Sequence, residues 1–422
     1  MGLGTWGSGF GAKGRERRYP PFPPNLRALL ICLHVFSSRL QSDLAINRLA
    51  VAVERARGGG HPFIDLTESN PTRAGFDYPA DLLAPLGDCR GLCYAPEPLG
   101  VLDARRAVAS DYARRGVSVD PERVVLTTST SEAYSLLFKV LCDPGDEVLV
   151  PRPSYPLFEH LTGLEAVAAT PYDLEYHGRW AIDLGGLARA FSPRTRAVVM
   201  VTPNNPTGSF ARQHEIAEIA SLCAAHHAAL VADEVFADYA WSPEAARLAG
   251  RVLSVCEALV VSLGGLSKAV GLPQVKLGWM AVGGPDATVR QLIARLELAC
   301  DTYLSVSTPV QLAAGELLAR GAAVRRQIQA RVSANARELR VRAARAPSTE
   351  ALVADAGWYG VLQVPSRVPE DDLVVSLVEE DGVLAHPGYF FDFSRESFLI
   401  LSLLAPEDRF AEGTSRLLRR FA

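Results

Sequence analysis

The sequence predicts an α/β fold, in which a mostly parallel sheet is sandwiched by helices and a smaller α+β region follows. Three observations carry this expectation. From about Arg123, short runs rich in β-branched residues alternate with longer stretches of helical periodicity, the pattern of βα units around one sheet. Each run is nearly continuously apolar, as burial on both faces requires and as a half-exposed antiparallel sheet would not be. After Pro285 the texture changes to a long region rich in Ala, Leu and Arg.

In chain order, VVLTT (124–128) precedes a helical stretch from Glu132 to Leu141, and DEVLVP (146–151) follows. AVVMVTP (197–203) ends in a turn and leads to a helix reaching Ala225, then come AALVADEV (228–235), ALVVSL (258–263) and LGWMAV (277–282). The helical region beyond Pro285 runs to about Arg345 with a break near Ser305 to Pro309. Strands near Gly360 to Val364 and Phe398 to Leu403, with a last helix from Pro406 to Phe421, read as α+β. The expected division is a disordered extension over 1–35, a segment over 36–80 packing on the small domain, a large domain over 81–300 and a small C-terminal domain over 301–422.

Composition narrows the partners. A formal net charge of −4 offers no concentrated basic face, so neither nucleic acid nor an anionic membrane surface is expected. The first 35 residues combine Gly-rich and Pro-rich stretches with Arg15, Arg17 and Arg18 ahead of a short apolar run, Leu29 to Phe36. Intervening prolines and the lack of an Ala-x-Ala site argue against a signal peptide, and no later run is long enough to span a bilayer, so a cytoplasmic protein is expected. The seven cysteines are odd in number and scattered, and nothing completes the Cys89/Cys93 pair as a metal site, so reduced thiols and no metal are expected.

Ligands of open α/β sheets bind beyond the carboxyl ends of the strands, which directs attention to the residues following each run. Thr128-Ser129-Thr130-Ser131 opens a helix, where free N–H groups and hydroxyls can cup an anion; a plain N-cap has the same composition. Asn204-Asn205-Pro206-Thr207-Gly208 forms a tight turn able to hold an amide toward the sheet's end, as an ordinary turn also would. Asp233-Glu234 places carboxylates at a strand end among apolar neighbours, costly unless a cation meets them; a structural ion pair or a helix cap is the plainer reading. Gly264-Gly265-Leu266-Ser267-Lys268 holds a lysine at the mouth of the sheet, and lysine becomes a nucleophile when its pKa is lowered.

Together, NPTG at 205–208, DEVF at 233–236 and SK at 267–268, each about one βα unit from the next, resemble fold-type I pyridoxal-phosphate (PLP) enzymes, particularly class I and II aminotransferases, from about Asp65 onward. The resemblance implies a PLP-transferase-like, seven-stranded sheet and pyridoxal 5'-phosphate carried by Lys268 as a Schiff base. It implies Asp233 at the pyridinium nitrogen, Asn205 at the ring's 3-oxygen and Tyr155 stacked on the ring. Ser129, Thr130, Ser131 and Ser267, with Lys276 in place of the usual arginine, would hold the phosphate. Tyr94 would reach a phosphate in a neighbouring subunit, implying a homodimer with shared active sites.

Departures from the pattern bear on the reaction. Phe236 replaces a tyrosine whose hydroxyl touches the 3-oxygen, with Tyr239 nearby as a possible substitute. Ile400 stands where an arginine clamps the substrate's α-carboxylate, leaving Arg73 in TESNPTRAG as the candidate and His386-Pro387-Gly388 as further pocket lining. The resemblance implies transfer of an amino group between an amino acid and a 2-oxo acid. Another PLP reaction of C–S lyase, racemase or cyclase type is the alternative, and a non-catalytic protein on the same fold is the third reading.

Overall fold

The computed structural model describes residues 37–39 and 46–421, so the expectation for residues 1–35 falls outside the described residues. Strand β1 (Ile64–Asp65) precedes eight strands that form one sheet. These are β2 (Val124–Thr127), β3 (Glu147–Arg152), β4 (Ala168–Tyr176), β5 (Trp180–Ile182), β6 (Thr195–Val201), β7 (Ala229–Asp233), β8 (Leu259–Gly265) and β9 (Gly278–Gly283). Their order is β2-β9-β8-β7-β6-β3-β4-β5. The pairs among β4, β3, β6, β7 and β8 are parallel, while β9 runs antiparallel between β8 and β2.

All six strands read from the sequence for this region are present, and the sheet contains seven long or medium strands plus the three-residue β5. The hairpin of β4 and β5 lies at the sheet's edge. There AATPYDLEY alternates between buried and exposed positions, so it lacks the continuous apolar signature of the central strands.

Alternation along the central strands divides the core into two layers. Val125, Val148, Val199, Val231, Val261 and Met280 pack on one face, joined there by the helices Thr130–Leu141 and Asp286–Tyr303. Leu126, Leu149, Val198, Leu230, Val260 and Ala281 pack on the other. The helices therefore hide the faces and leave the carboxyl edge of the parallel strands free for polar chemistry.

Further along the chain, β10 (Glu350–Ala351), β11 (Tyr359–Gln363), β12 (Val383–Leu384), β13 (His386–Pro387) and β14 (Phe398–Ser402) complete the strands. An antiparallel sheet has the order β10-β11-β14-β13, and β12 pairs in parallel with β1, joining the N-terminal segment to the C-terminal part. The helix Arg48–Gly58 packs on the helix Glu370–Glu379 in the same region. Asn335, on the helix Ala322–Ala343, donates to the carbonyls of Leu403 and Ala405 at 2.9 and 2.8 Å and so anchors the chain leaving β14.

The helical region beyond Pro285 has two breaks where the sequence suggested one. Leu304 adopts a left-handed conformation with φ 44° and ends the first helix, and Gly321 divides Thr308–Arg320 from Ala322–Ala343. Gly321 is required by proximity, since a Cβ there would lie 2.6 Å from the Cβ of Val270, two residues past Lys268, and 2.7 Å from the carbonyl oxygen of Leu317. Gly321→Ala is therefore expected to destabilise the protein by about 1–3 kcal/mol through overpacking, read as a lower urea midpoint with an unchanged slope.

Candidate active site

Lys268 lies on a four-residue helix, Leu266–Ala269, directly after β8. The two glycines ending that strand admit β9, because a Cβ at Gly264 would fall 2.4 Å from Nε1 of Trp279 and one at Gly265 would fall 3.1 Å from the carbonyl oxygen of Leu277. The amine is partly buried, 4.8 Å from the ring centroid of Trp358 and 5.7 Å from that of Phe236. Burial pushes its pKa down to about 8, against the opposing pull of Asp233. Tyr239 does not replace the hydroxyl absent at Phe236: its own hydroxyl donates to the backbone carbonyl of Lys268, and its ring packs against Trp358.

Asp233 ends β7, immediately beside β8, with Leu263 as its cross-strand neighbour. Its Oδ1 accepts from the backbone N–H of Val235 at 3.1 Å and its Oδ2 from the hydroxyl of Tyr134 at 3.1 Å. Burial raises this carboxyl to about 6, the two hydrogen bonds opposing the rise. Its neighbour Glu234 has a different occupation, accepting from Ser262 and lying near the guanidinium of Arg115. Neither acid forms a close ion pair among the described residues: Glu234 is hydrogen-bonded to Ser262 with Arg115 in its vicinity, and the cation that acts on Asp233 is Lys268.

The turn after β6 separates its two asparagines by task. Asn204 donates from Nδ2 to the carbonyl of Pro153 and to Thr207 Oγ1, both at 3.0 Å, and accepts from Ser154 at 3.1 Å. Gly208, at φ 68°, accepts from the N–H groups of Asp355 and Ala356, fastening the turn to the segment before β11. Asn205 is buried, and its Oδ1 accepts no hydrogen bond. Tyr155 is partly buried, and its phenol is raised in pKa by burial with Tyr359 and Asp233 adding to the effect.

After β2, Ser129 caps the helix Thr130–Leu141 by accepting from the N–H of Glu132 at 3.1 Å. Thr130 and Ser131 occupy the first turn and are partly buried. A Cβ at Gly278 would lie 2.9 Å from the backbone carbon of Ser129 and 3.1 Å from the nitrogen of Thr130, so β9 passes directly under this helix start. Ser267 is on the short helix with Lys268, whereas Lys276 is exposed, in a left-handed conformation with φ 61°. The structure thus gathers Lys268, Asp233, Asn205, Tyr155 and Ser129–Ser131 around one edge, and leaves Lys276 outward.

The remaining positions singled out in the sequence differ in exposure. Tyr94 is 76% exposed, and Arg73 is exposed at the end of the short helix Pro71–Arg73. Ile400 is fully buried opposite Val361 and His386, on the same face of the small sheet as Tyr359 and Ser402. Burial lowers the pKa of His386 to about 4, so it is neutral at neutral pH, and neither Ile400 nor His386 offers a cation to a carboxylate. Tyr134, Trp358 and Tyr359 were missed from sequence, since one aromatic inside a helix and two before an apolar strand read as core.

A model of the family described as aminotransferase class I and II matches residues 61–409. The chain belongs to this family. Among aminotransferases of curated function, a glutamate–pyruvate aminotransferase of Escherichia coli is 30% identical over 267 residues, covering 61% of this chain and 64% of that protein. An alanine aminotransferase of Mycobacterium tuberculosis is 29% identical over 282 residues, covering 65% of each. The matched stretch is thus under two thirds of these relatives' own length. The fold is shared with an alanine aminotransferase from Pyrococcus furiosus, with TM-score 0.81, 21% identity and coverage of 92% of this chain and 99% of that one. An aminotransferase from Escherichia coli gives TM-score 0.80 at 22% identity, covering 92% and 98%.

Membership in the class I and II aminotransferases implies pyridoxal phosphate as cofactor. The residues present fit it: a helix start whose first turn carries hydroxyls for a phosphate, and a buried carboxylate near a lysine of lowered pKa. Ile400→Arg would bury an unpaired charge in a packed sheet, so it is expected to cost about 3–5 kcal/mol of stability in urea unfolding without strengthening succinate binding. A variant as stable as the parent, with tighter succinate binding, would show that position 400 opens onto the pocket.

Proposed function

We propose that this chain is a PLP-dependent aminotransferase that transfers an amino group between an amino acid and a 2-oxo acid in two half-reactions. One observation carries the reading: Asp233 ends β7 and Lys268 follows the neighbouring β8 at the same sheet edge, each short of the solvation its charged form needs. The names of the similar proteins, alanine and glutamate–pyruvate aminotransferases, make small amino acids and their 2-oxo acids the first substrates to try.

The bound cofactor supplies an electron sink for charge developing at the substrate's α-carbon. Lys268 would hold the cofactor through its amine and, when free, would carry a proton on Nζ, for which a pKa near 8 leaves a usable neutral fraction at neutral pH. Asp233, ionised above about 6, would stand as counter-ion to a protonated ring nitrogen. Asn205 would donate an amide N–H to the 3-oxygen, and Tyr155 would cover the ring's face. Ser129, Thr130, Ser131 and Ser267 bind the phosphate with the positive end of the helix dipole, and Lys276 adds charge from the surface. Trp358 and Phe236 keep water from the amine.

The exposed Tyr94, with Leu92 and Tyr303 also exposed, supports a homodimer in which Tyr94 completes the partner's phosphate site. In this reading the large domain spans 81–300, the small domain 301–422, and residues 36–80 pack on the small domain, in a cytoplasmic protein. Arg73 is the candidate for the substrate carboxylate. A second reading, a C–S lyase, racemase or cyclase, is favoured by Ile400, which removes the carboxylate anchor from β14.

Borohydride treatment of the protein loaded with pyridoxal phosphate should fix the label on the peptide carrying Lys268, and L-alanine should convert the yellow form to the pyridoxamine form with pyruvate released. A colourless protein with no label at Lys268 contradicts the reading. Return of the yellow form with ammonia release favours the lyase alternative.

A further inference from the structure

We propose that Tyr134 is a positioning residue for Asp233: its hydroxyl fixes the plane of that carboxylate and keeps it ionised where the cofactor's ring nitrogen is to be met. The inference rests on the proposed PLP-dependent reading, but its observations are this chain's own.

Tyr134 sits in the second turn of the helix Thr130–Leu141, the helix whose first residues form the phosphate cup. Its ring is buried, 5.8 Å from that of Phe138 and 5.6 Å edge-on to that of Phe158, so the hydroxyl is delivered by a side chain with little freedom. The hydroxyl donates to Asp233 Oδ2 at 3.1 Å. With the backbone of Val235 on Oδ1, each oxygen of the carboxylate is tied from a different element. One helix thereby sets both ends of the ligand, gripping the phosphate with its N-terminus and aligning the ring's counter-ion with its second turn. A lone carboxylate in an enclosed site can rotate or take up a proton, and a donated O–H opposes both.

The groups facing Asp233 set the direction of its titration. Glu234, next along the chain, raises its pKa, whereas Lys268 from the short helix after β8, the Val235 N–H and the Tyr134 hydroxyl lower it. Tyr155 stands near it from the loop after β3. Removing the Tyr134 hydroxyl takes away a lowering influence, so Asp233 would protonate at a higher pH and the ionised form would be lost earlier as pH falls.

The test compares Tyr134→Phe, which keeps the ring and its packing, with the parent protein and with Asp233→Asn. Three readouts are needed: pyridoxal phosphate affinity of the cofactor-free protein by absorbance titration, the pH profile of kcat for the L-alanine half-reaction, and urea stability. Tyr134→Phe is expected to weaken cofactor binding by about threefold to tenfold, as loss of one hydrogen bond to a charged group does, and to move the acid limb of kcat to higher pH with little change in KM. Affinity and acid limb unchanged from the parent overturn the proposal, as does lower stability with the acid limb unmoved, which marks a purely structural tyrosine. A parent protein that takes up no pyridoxal phosphate overturns the functional reading and this inference together; a parent that loads normally beside an indifferent Tyr134→Phe overturns this inference alone.

Discussion

An amine and a carboxylate withdrawn from water at the same sheet edge form the constraint on which the rest of the site depends. Burial penalises the charged form of each, pushing Lys268 down to about 8 and Asp233 up to about 6. Neither charged form is well solvated. Each is partly offset by the other and by neutral donors, Tyr134 and the Val235 N–H on the carboxylate, and the remaining cost is recovered by a ligand that offers a cation to Asp233 and an aldehyde carbon to Lys268.

Strand register produces this placement. β6, β7 and β8 run parallel and end together, and the N–H of Thr202 bonds to the carbonyl of Asp233 at 2.9 Å while that of Glu234 bonds to Leu263 at 3.0 Å. The turns leaving these strands therefore start from one shared line. Alternation then decides which acid faces the site: Asp233 meets Tyr134, while Glu234 turns toward Ser262 and Arg115. Small residues make the approach possible, since Gly264, Gly265 and Gly278 each stand where a side chain would collide with the neighbouring strand or helix start.

Most of this architecture was legible in the sequence because central parallel strands carry a two-faced apolar signature and their exits carry Gly, Asn, Pro and Asp. The edge hairpin of β4 and β5 was not, because its half-exposed pattern resembles surface chain. The helix break at Gly321 escaped notice since the glycine keeps helical geometry and its need arises from Val270, distant in sequence. In the site, Lys268, Asp233 and Asn205 were readable from their motifs, whereas Tyr134 acts across about a hundred residues of chain and Tyr239 spends its hydroxyl on a backbone carbonyl. Such contacts depend on which helix turn faces which strand end, and local sequence does not encode that. The burial of Ile400 is of the same kind: the substitution is visible in sequence, but only the β11-β14-β13 register places it on a face without positive charge.

The most direct measurement is the titration of the Lys268 amine in cofactor-free protein, followed by competitive labelling with a small anhydride and mass spectrometry across pH, in the parent and in Asp233→Asn. A midpoint near 8 in the parent, moving lower when the Asp233 charge is removed, is the result this account requires. A midpoint at lysine's ordinary value near 10.5, the same in both proteins, would mean that the amine is solvated and uncoupled from the carboxylate, and the account of the site would be wrong.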